Sequence, residues 1–547
     1  MKAISHLTSV LAAAGFLQSG VQAVQPLVDV GYAKFQGAVT NKALDVTSWK
    51  GIQFAAPPVG ELRFAAPADP LQTGTVNASA HGPICPPQRP GDWTVTGTYD
   101  RFRVDEDCLY LAVTAPSQAS KDSKLPVVFF LQGGGFTSNS NANWDASEIA
   151  ADGNVVVVQI NYRVGMYGFL HSKEALAGGS LNAGIKDMLK ALEWVQKNIH
   201  NFGGNPDQVV LDGISAGGSA VGLLIAANTG SEKKPFVGGI VESGGWVTMR
   251  TMEQGQGQYD CLAREKGCAD SADSLSCLRA LNQSAVRSSN CWFSPSIDDD
   301  LFSDSLVNLY RAGKYTKLPT IWGTCANEGT RTAPQSTNST EQALAFIKRQ
   351  DPSLSDNSLA IIDDLFIDWR QAANAIGHMG NHCIVRNVQN YLARDEATTW
   401  NYKYAVLDPK DEADGFGAYH VVNTYAFWGP SRTDGGPPAS YATSNAPIVS
   451  QFRKYWISFV RNLDPNSDRE EGAAEWAPFT VEGRERLFVQ TNNTHMEKMS
   501  SAQNLRCDVV RPVSENLGKP VNSGVVTTLD EKLAAGMNDT SEDTTLS

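Results

Sequence analysis

Short apolar runs rich in β-branched residues alternate with helical patterns along this chain, and that alternation limits the fold more than any other feature. Leu125 to Leu131 (LPVVFFL) is followed by Asn154 to Asn161 (NVVVVQIN) and then by Gly184 to Ile199, where Ile185, Met188, Leu189, Leu192, Val195 and Ile199 share one helical face. Gln208 to Ile214 (QVVLDGI) and a small-residue helix from Ala216 to Ala227 come next. Strands that are apolar along their whole length must be covered on both faces. The expected architecture is therefore α/β, a large and mostly parallel central sheet with helices on both faces. Ligands of such sheets bind beyond the carboxyl ends of the strands. From about Val30 to Pro512 there is no repeat, linker or charge block, so residues 24–513 read as one domain.

The two ends read differently. Lys2, the apolar stretch Leu7 to Leu17 and the small-residue site Val21-Gln22-Ala23 have the layout of a secretory signal, which predicts removal of residues 1–23 and a secreted protein. No later apolar run approaches the roughly 20 residues of a membrane helix, so stable membrane insertion is not expected. Residues 514–547 are polar and acidic and are expected to form a poorly ordered tail. A net charge of −13 with no basic cluster disfavours nucleic acid as a partner. Nine cysteines in an exported chain imply disulfides and leave at least one thiol over. Asn77, Asn282, Asn338, Asn492 and Asn538 stand in glycosylation sequons.

The chemistry-bearing pattern is Gly213-Ile214-Ser215-Ala216-Gly217, placed between a strand and a helix. Small flanking residues allow a sharp turn that lifts the Ser215 hydroxyl above the sheet edge, while the helix start aims free N–H groups at the same place. Gln132-Gly133-Gly134-Gly135-Phe136 follows an earlier strand, and its missing side chains expose backbone N–H groups. Gly134, Gly135 and Ala216 are the expected oxyanion-hole donors. A serine needs a base and the base needs an orienting acid. His420, in the loop Gly417 to Asn423, and Glu328, just past the apolar strand Leu318 to Trp322, follow in the order Ser, Glu, His. His378 and His382 are four apart and could face one way as metal ligands, but Gly377 and Gly380 weaken a helix there and no third ligand is evident. No metal and no cofactor is expected.

Together these residues resemble the type-B carboxylesterase/lipase family of α/β-hydrolases, which includes cholinesterases and secreted fungal lipases. Gly51 to Gly60 with Leu62-Arg63-Phe64, Glu106 to Leu111 (EDCLYL), Asn161-Tyr162-Arg163 and Asn198 to Pro206 are similar to the family's ordered motifs. The resemblance implies the α/β-hydrolase fold, a catalytic Ser215, Glu328 and His420, and disulfides Cys85–Cys108 and Cys268–Cys277. It leaves Cys261, Cys291, Cys325, Cys383 and Cys507 unassigned. Three positions depart from the family: Ile214 where Glu is usual, Gln132 where His is frequent and Asn423 where Asp is common. The implied activity is hydrolysis of a small-molecule carboxylic ester through an acyl-enzyme. In family lipases the first disulfide loop carries an amphipathic lid. Here that loop holds Trp93, Tyr99 and Phe102 but no Leu or Ile, which favours soluble esters over fat droplets. A longer-chain lipase, an acyl-transfer step on a small metabolite and a non-catalytic binding protein on this scaffold are the alternatives. The oligomeric state is left open.

Overall fold

The computed structural model describes residues 26–515 except 89–102, 140–142, 229, 231–233, 246, 351–368 and 434–435. The expected signal, Trp93, Tyr99, Phe102, Asn538 and nearly all of the expected tail lie outside the described residues. In chain order the strands are β1 (Leu27–Asp29), β2 (Ala33–Gln36), β3 (Ala38–Asn41), β4 (Val46–Gln53), β5 (Gly74–Asn77), β6 (Tyr110–Pro116) and β7 (Leu125–Leu131). They continue with β8 (Val156–Ile160), β9 (Gly204–Ile214), β10 (Gly238–Glu242), β11 (Thr320–Cys325), β12 (Thr399–Tyr404), β13 (Glu485–Val489) and β14 (His495–Lys498).

Strands β1, β2 and β5 make a small separate sheet, and the others form one sheet in the order β14-β13-β12-β11-β10-β9-β7-β8-β6-β4-β3. The stretch from β13 to β8 is parallel throughout. Antiparallel strands close both ends, β14 at one and β6, β4 and β3 at the other. This is the α/β-hydrolase architecture. Its period-2 alternation is visible in β7: Val127, Phe129 and Leu131 face one core, and Val128 and Phe130 face the other. The helix Ala183–Asn198 covers the first face with Ile185, Met188, Leu192 and Val195. The helix Ala446–Asn462 covers the second with Phe452, Trp456 and Phe459. Burial on both faces explains why the central strands read as unbroken apolar runs.

The family-like motifs hold this frame together. Arg63 donates from Nε and Nη2 to Glu106 at 2.7 and 2.6 Å and from Nη1 to the carbonyl of Leu281 at 2.5 Å. Disulfides join Cys85 to Cys108 and Cys268 to Cys277, and also Cys261 to Cys291 and Cys383 to Cys507. Cys325 is left as a buried thiol. The two additional pairs link residues 30 and 124 apart in sequence, so only the folded chain reveals them.

The segment holding Gly377 and Gly380 is helical despite those glycines. The helix Trp369–Gly377 runs through a π-turn at His378–His382 into the helix Cys383–Arg394. Tertiary ties outweigh the local propensity: Asn381 donates to the Ser243 carbonyl at 2.8 Å and Cys383 is bonded to Cys507. Gly377 also allows close approach, since a Cβ there would stand 3.3 Å from the Cβ of Glu328.

Candidate active site

Ser215, the glycine loop and Glu328 follow the carboxyl ends of β9, β7 and β11. Ser215 joins β9 to the helix Ala216–Ala226 with φ 57° and ψ −124°, a backbone state that L-residues rarely hold. The residues two positions away on either side must be glycines. A Cβ on Gly213 would lie 2.3 Å from the Gly217 carbonyl oxygen, and one on Gly217 would lie 1.9 Å from that of Leu131. The Ser215 N–H donates to the Glu242 carbonyl at 2.8 Å, which pins the turn to the end of β10.

His420 Nε2 lies 2.8 Å from Ser215 Oγ, and His420 Nδ1 bonds Glu328 Oε2. The other carboxylate oxygen, Glu328 Oε1, accepts the Cys325 N–H at 2.6 Å. A carboxylate with no exposed side-chain area is thus held from two directions. With Nδ1–H donating to Glu328, Nε2 is left as the acceptor for the Ser215 hydroxyl proton. The structure brings together three side chains that are far apart in the sequence.

Asn327 is the residue that sequence reasoning missed here, because Asn-Glu-Gly reads as an ordinary polar turn. Its N–H donates to the Ala418 carbonyl at 2.9 Å, and its Oδ1 accepts the Ala418 N–H at 3.0 Å. Gly417, at φ 58°, makes room for this clamp, since a Cβ there would stand 2.4 Å from Asn327 Oδ1. The acid and histidine segments are therefore fixed to each other by backbone as well as by the Glu328–His420 bond.

In the glycine loop, Gly134 has φ 120° and Gly135 has φ 61°. The Gly134 carbonyl is turned into the following turn, where it accepts the N–H groups of Thr137 and Ser138, both at 3.0 Å, and their hydroxyls, both at 3.2 Å. In a trans peptide the N–H points opposite the carbonyl, so this arrangement turns the Gly135 N–H out of the loop. A Cβ at Gly134 would strike Ser138 O at 2.3 Å, so only glycine fits. Ala216 N–H is an orphan donor of the first helical turn.

The departing positions have identifiable surroundings. Ile214 is wholly buried in the second core, so it brings no charge beside the serine. The Gln132 carbonyl accepts the Tyr162 hydroxyl at 2.9 Å. Asn423 donates through Nδ2 to Glu242. His378 and His382 lie on the π-turn with ring centroids 5.2 Å apart, and each has one ring nitrogen engaged: His378 Nδ1 with Asn374 O at 2.8 Å, His382 Nδ1 with Thr324 Oγ1 at 2.7 Å. Burial holds the His378 ring down at about 4, which disfavours a proton there. Among the described residues one Cys/His/acid group has metal-like spacing, Cys261, Glu265 and Cys291, but its two sulfurs form a disulfide. The sequon asparagines Asn77, Asn282, Asn338 and Asn492 are exposed.

Comparison with known proteins adds a family to this geometry. Residues 24–509 match the sequence profile described as "Carboxylesterase family". Lipase 1 of Geotrichum candidum is 29% identical over an alignment covering 90% of this chain and 98% of that protein. Fumonisin B1 esterase of Sphingopyxis macrogoltabida is 36% identical over 83% of this chain and 85% of its own length. Among solved structures, that of Aspergillus niger EstA superposes with a TM-score of 0.83 at 33% identity, covering 90% of this chain and 99% of that one.

Proposed function

The chain belongs to the carboxylesterase family and is a carboxylic ester hydrolase, and we propose that it works through an acyl-enzyme on Ser215, with His420 as the base and Glu328 as its orienting acid. The observation that carries this reading is the continuous Ser215–His420–Glu328 chain of hydrogen bonds at the carboxyl end of the sheet. His420 Nε2 takes the Ser215 proton as Oγ attacks the ester carbonyl, and Glu328 stabilises the imidazolium. The N–H groups of Gly134, Gly135 and Ala216 receive the developing oxyanion, an interaction worth about 3 kcal/mol per donor in comparable sites. His420 then protonates the leaving alcohol, and water repeats the sequence to free the acid.

The preferred substrates are soluble esters of small molecules. Between Cys85 and Cys108 the sequence has two valines but no Leu or Ile, a poor apolar face for adsorbing to a lipid surface. The signal-like N-terminus and four disulfides support passage through an oxidising secretory route. Hydrolysis of p-nitrophenyl esters from acetate to oleate by the wild type and Ser215→Ala tests the reading. Activity should be greatest on short acyl chains and fall at least about 1000-fold in the variant. A variant that keeps wild-type rates overturns the nucleophile, and a preference for oleate overturns the substrate class.

A further inference from the structure

Two acids interrupt strands that are otherwise apolar at their ends, Asp212 in VVLDGI of β9 and Glu242 in GGIVE of β10. Both are wholly buried. In the parallel register Asp212 lies opposite Ile240 and Glu242 opposite Ile214, so the side chains share one face of adjacent strands, and their carboxyl groups reach each other. Of the four carboxyl oxygens only Glu242 Oε2 meets a donor in hydrogen-bonding geometry among the described residues, and that donor is Asn423 Nδ2. The titratable group facing both acids is Tyr402 from β12. The Trp456 indole faces the pair from the covering helix. None of these supplies a positive charge.

Two carboxylates in such surroundings do not both remain ionised. Burial pushes the Asp212 carboxyl up to about 7, and burial together with the Asp212 charge pushes Glu242 well above the usual carboxylate range. A proton held between them turns a repulsive contact into a charge-assisted hydrogen bond and supplies the donor that the site otherwise lacks.

Glu242 also touches both halves of the reaction centre. Its carbonyl accepts the Ser215 N–H at 2.8 Å. Its side chain holds Asn423, three residues after His420, and the Asn423 Oδ1 accepts from Cys325 Sγ at 3.3 Å. The N–H of Cys325 in turn holds Glu328. We propose that Asp212 and Glu242 share one proton in the working enzyme, and that Glu242, through Ser215 and Asn423, is a positioning residue that sets Ser215 against His420. This rests on the Ser215–His420–Glu328 reading given above.

Infrared spectroscopy of the full chain at pH 8, where exposed carboxylates are ionised, tests the shared proton. A protonated-carboxyl C=O stretch should be present in the wild type, persist in Ser215→Ala and vanish in the double variant Asp212→Asn/Glu242→Gln. Its absence from the wild type, or its survival in the double variant, overturns the shared proton. Because the band does not depend on turnover, an active Ser215→Ala would break the triad reading and leave this result standing. Kinetics tests the positioning role. Asn423→Leu should lose about tenfold or more in kcat with KM within about twofold, since only the alignment of reacting groups is disturbed. Wild-type kcat in that variant overturns the role. Should Asn423→Leu not fold, the near-isosteric Asn423→Asp sets a third acid against Glu242. Its kcat relative to wild type should be lowest at pH 8 and recover as the pH is lowered, and a ratio independent of pH overturns the proposal.

Discussion

Glu328 beyond β11 and the Asp212–Glu242 pair at the ends of β9 and β10 are buried to the same depth, within one sheet edge, yet their surroundings ask opposite things of them. Glu328 has a donor on each oxygen, the Cys325 N–H on one and the His420 ring on the other. Among the described residues the pair has one donor in hydrogen-bonding geometry, Asn423, for four oxygens, with the Gly213 N–H and the Trp456 indole close by. A buried carboxylate whose lone pairs are met can remain an anion and steady an imidazolium, whereas one without donors must acquire a proton or a counter-charge. The number and direction of donors, rather than depth, separate an acid that acts on the histidine from a pair that acts on the scaffold.

The same chemical change made at both places is the strongest way to break this contrast. Glu328→Gln turns an acceptor into an amide that can present N–H to the imidazole and favour the wrong tautomer, so kcat should fall about 10³- to 10⁴-fold with the fold intact. Glu242→Gln keeps an acceptor for Asn423 and offers a donor to Asp212, so kcat should stay within about threefold. Steady-state assays on one short p-nitrophenyl ester check both, and equal losses would erase the distinction. A smaller effect sharpens the Glu328 side. Asn327→Ala removes the Oδ1 acceptor of the Ala418 N–H while leaving Glu328 in place, and kcat should drop about tenfold if the clamp aligns His420. An unchanged kcat would assign the alignment to the Glu328–His420 bond alone.

What the sequence made legible follows from where the constraints are local. The strand runs around Val128 and Val157 and the elbow around Ser215 are written in consecutive residues, because full burial and a strained turn each dictate residue type on the spot. The chain order of Ser215, Glu328 and His420 was legible for the same reason, since each stands just after a recognisable strand or in a loop of turn-forming residues. Asn327 and the Cys383–Cys507 bridge were not, because their partners lie far away in sequence and nothing in an Asn-Glu-Gly turn announces a clamp. Asp212 and Glu242 did leave a signal that went unread: an acid inside a strand destined for full burial conflicts with its surroundings, and such conflicts mark positions with a task. The π-turn at His378 shows the converse, a local glycine preference overridden by packing against the Glu328 loop.

The last contrast is one of stability against pH, and its sign differs between the two systems. Asp212 has its carboxyl raised from 3.8 to about 7 by burial, so between those values the folded chain holds a proton that the unfolded chain has released. Its contribution to stability is therefore present below about pH 4 and lost as the pH rises through about 7. Buried histidines pull the other way. His81, His171 and His378 are lowered to about 3, 4 and 4, chiefly by burial, so the stability they contribute is full above about 6.5 and lost as the pH falls below it. The total profile mixes both trends, but a difference between variants separates them. Asp212→Asn removes the acid and leaves every histidine, so its melting temperature minus that of the wild type should climb as the pH goes from 4 to 7 and level off above. Glu328→Gln loses two charge-assisted hydrogen bonds and should melt below the wild type at pH 7. Thermal scans of the three proteins in matched buffers read both differences. A flat difference for Asp212→Asn would mean that Asp212 is ionised across the whole range and that any proton of the pair belongs to Glu242 alone.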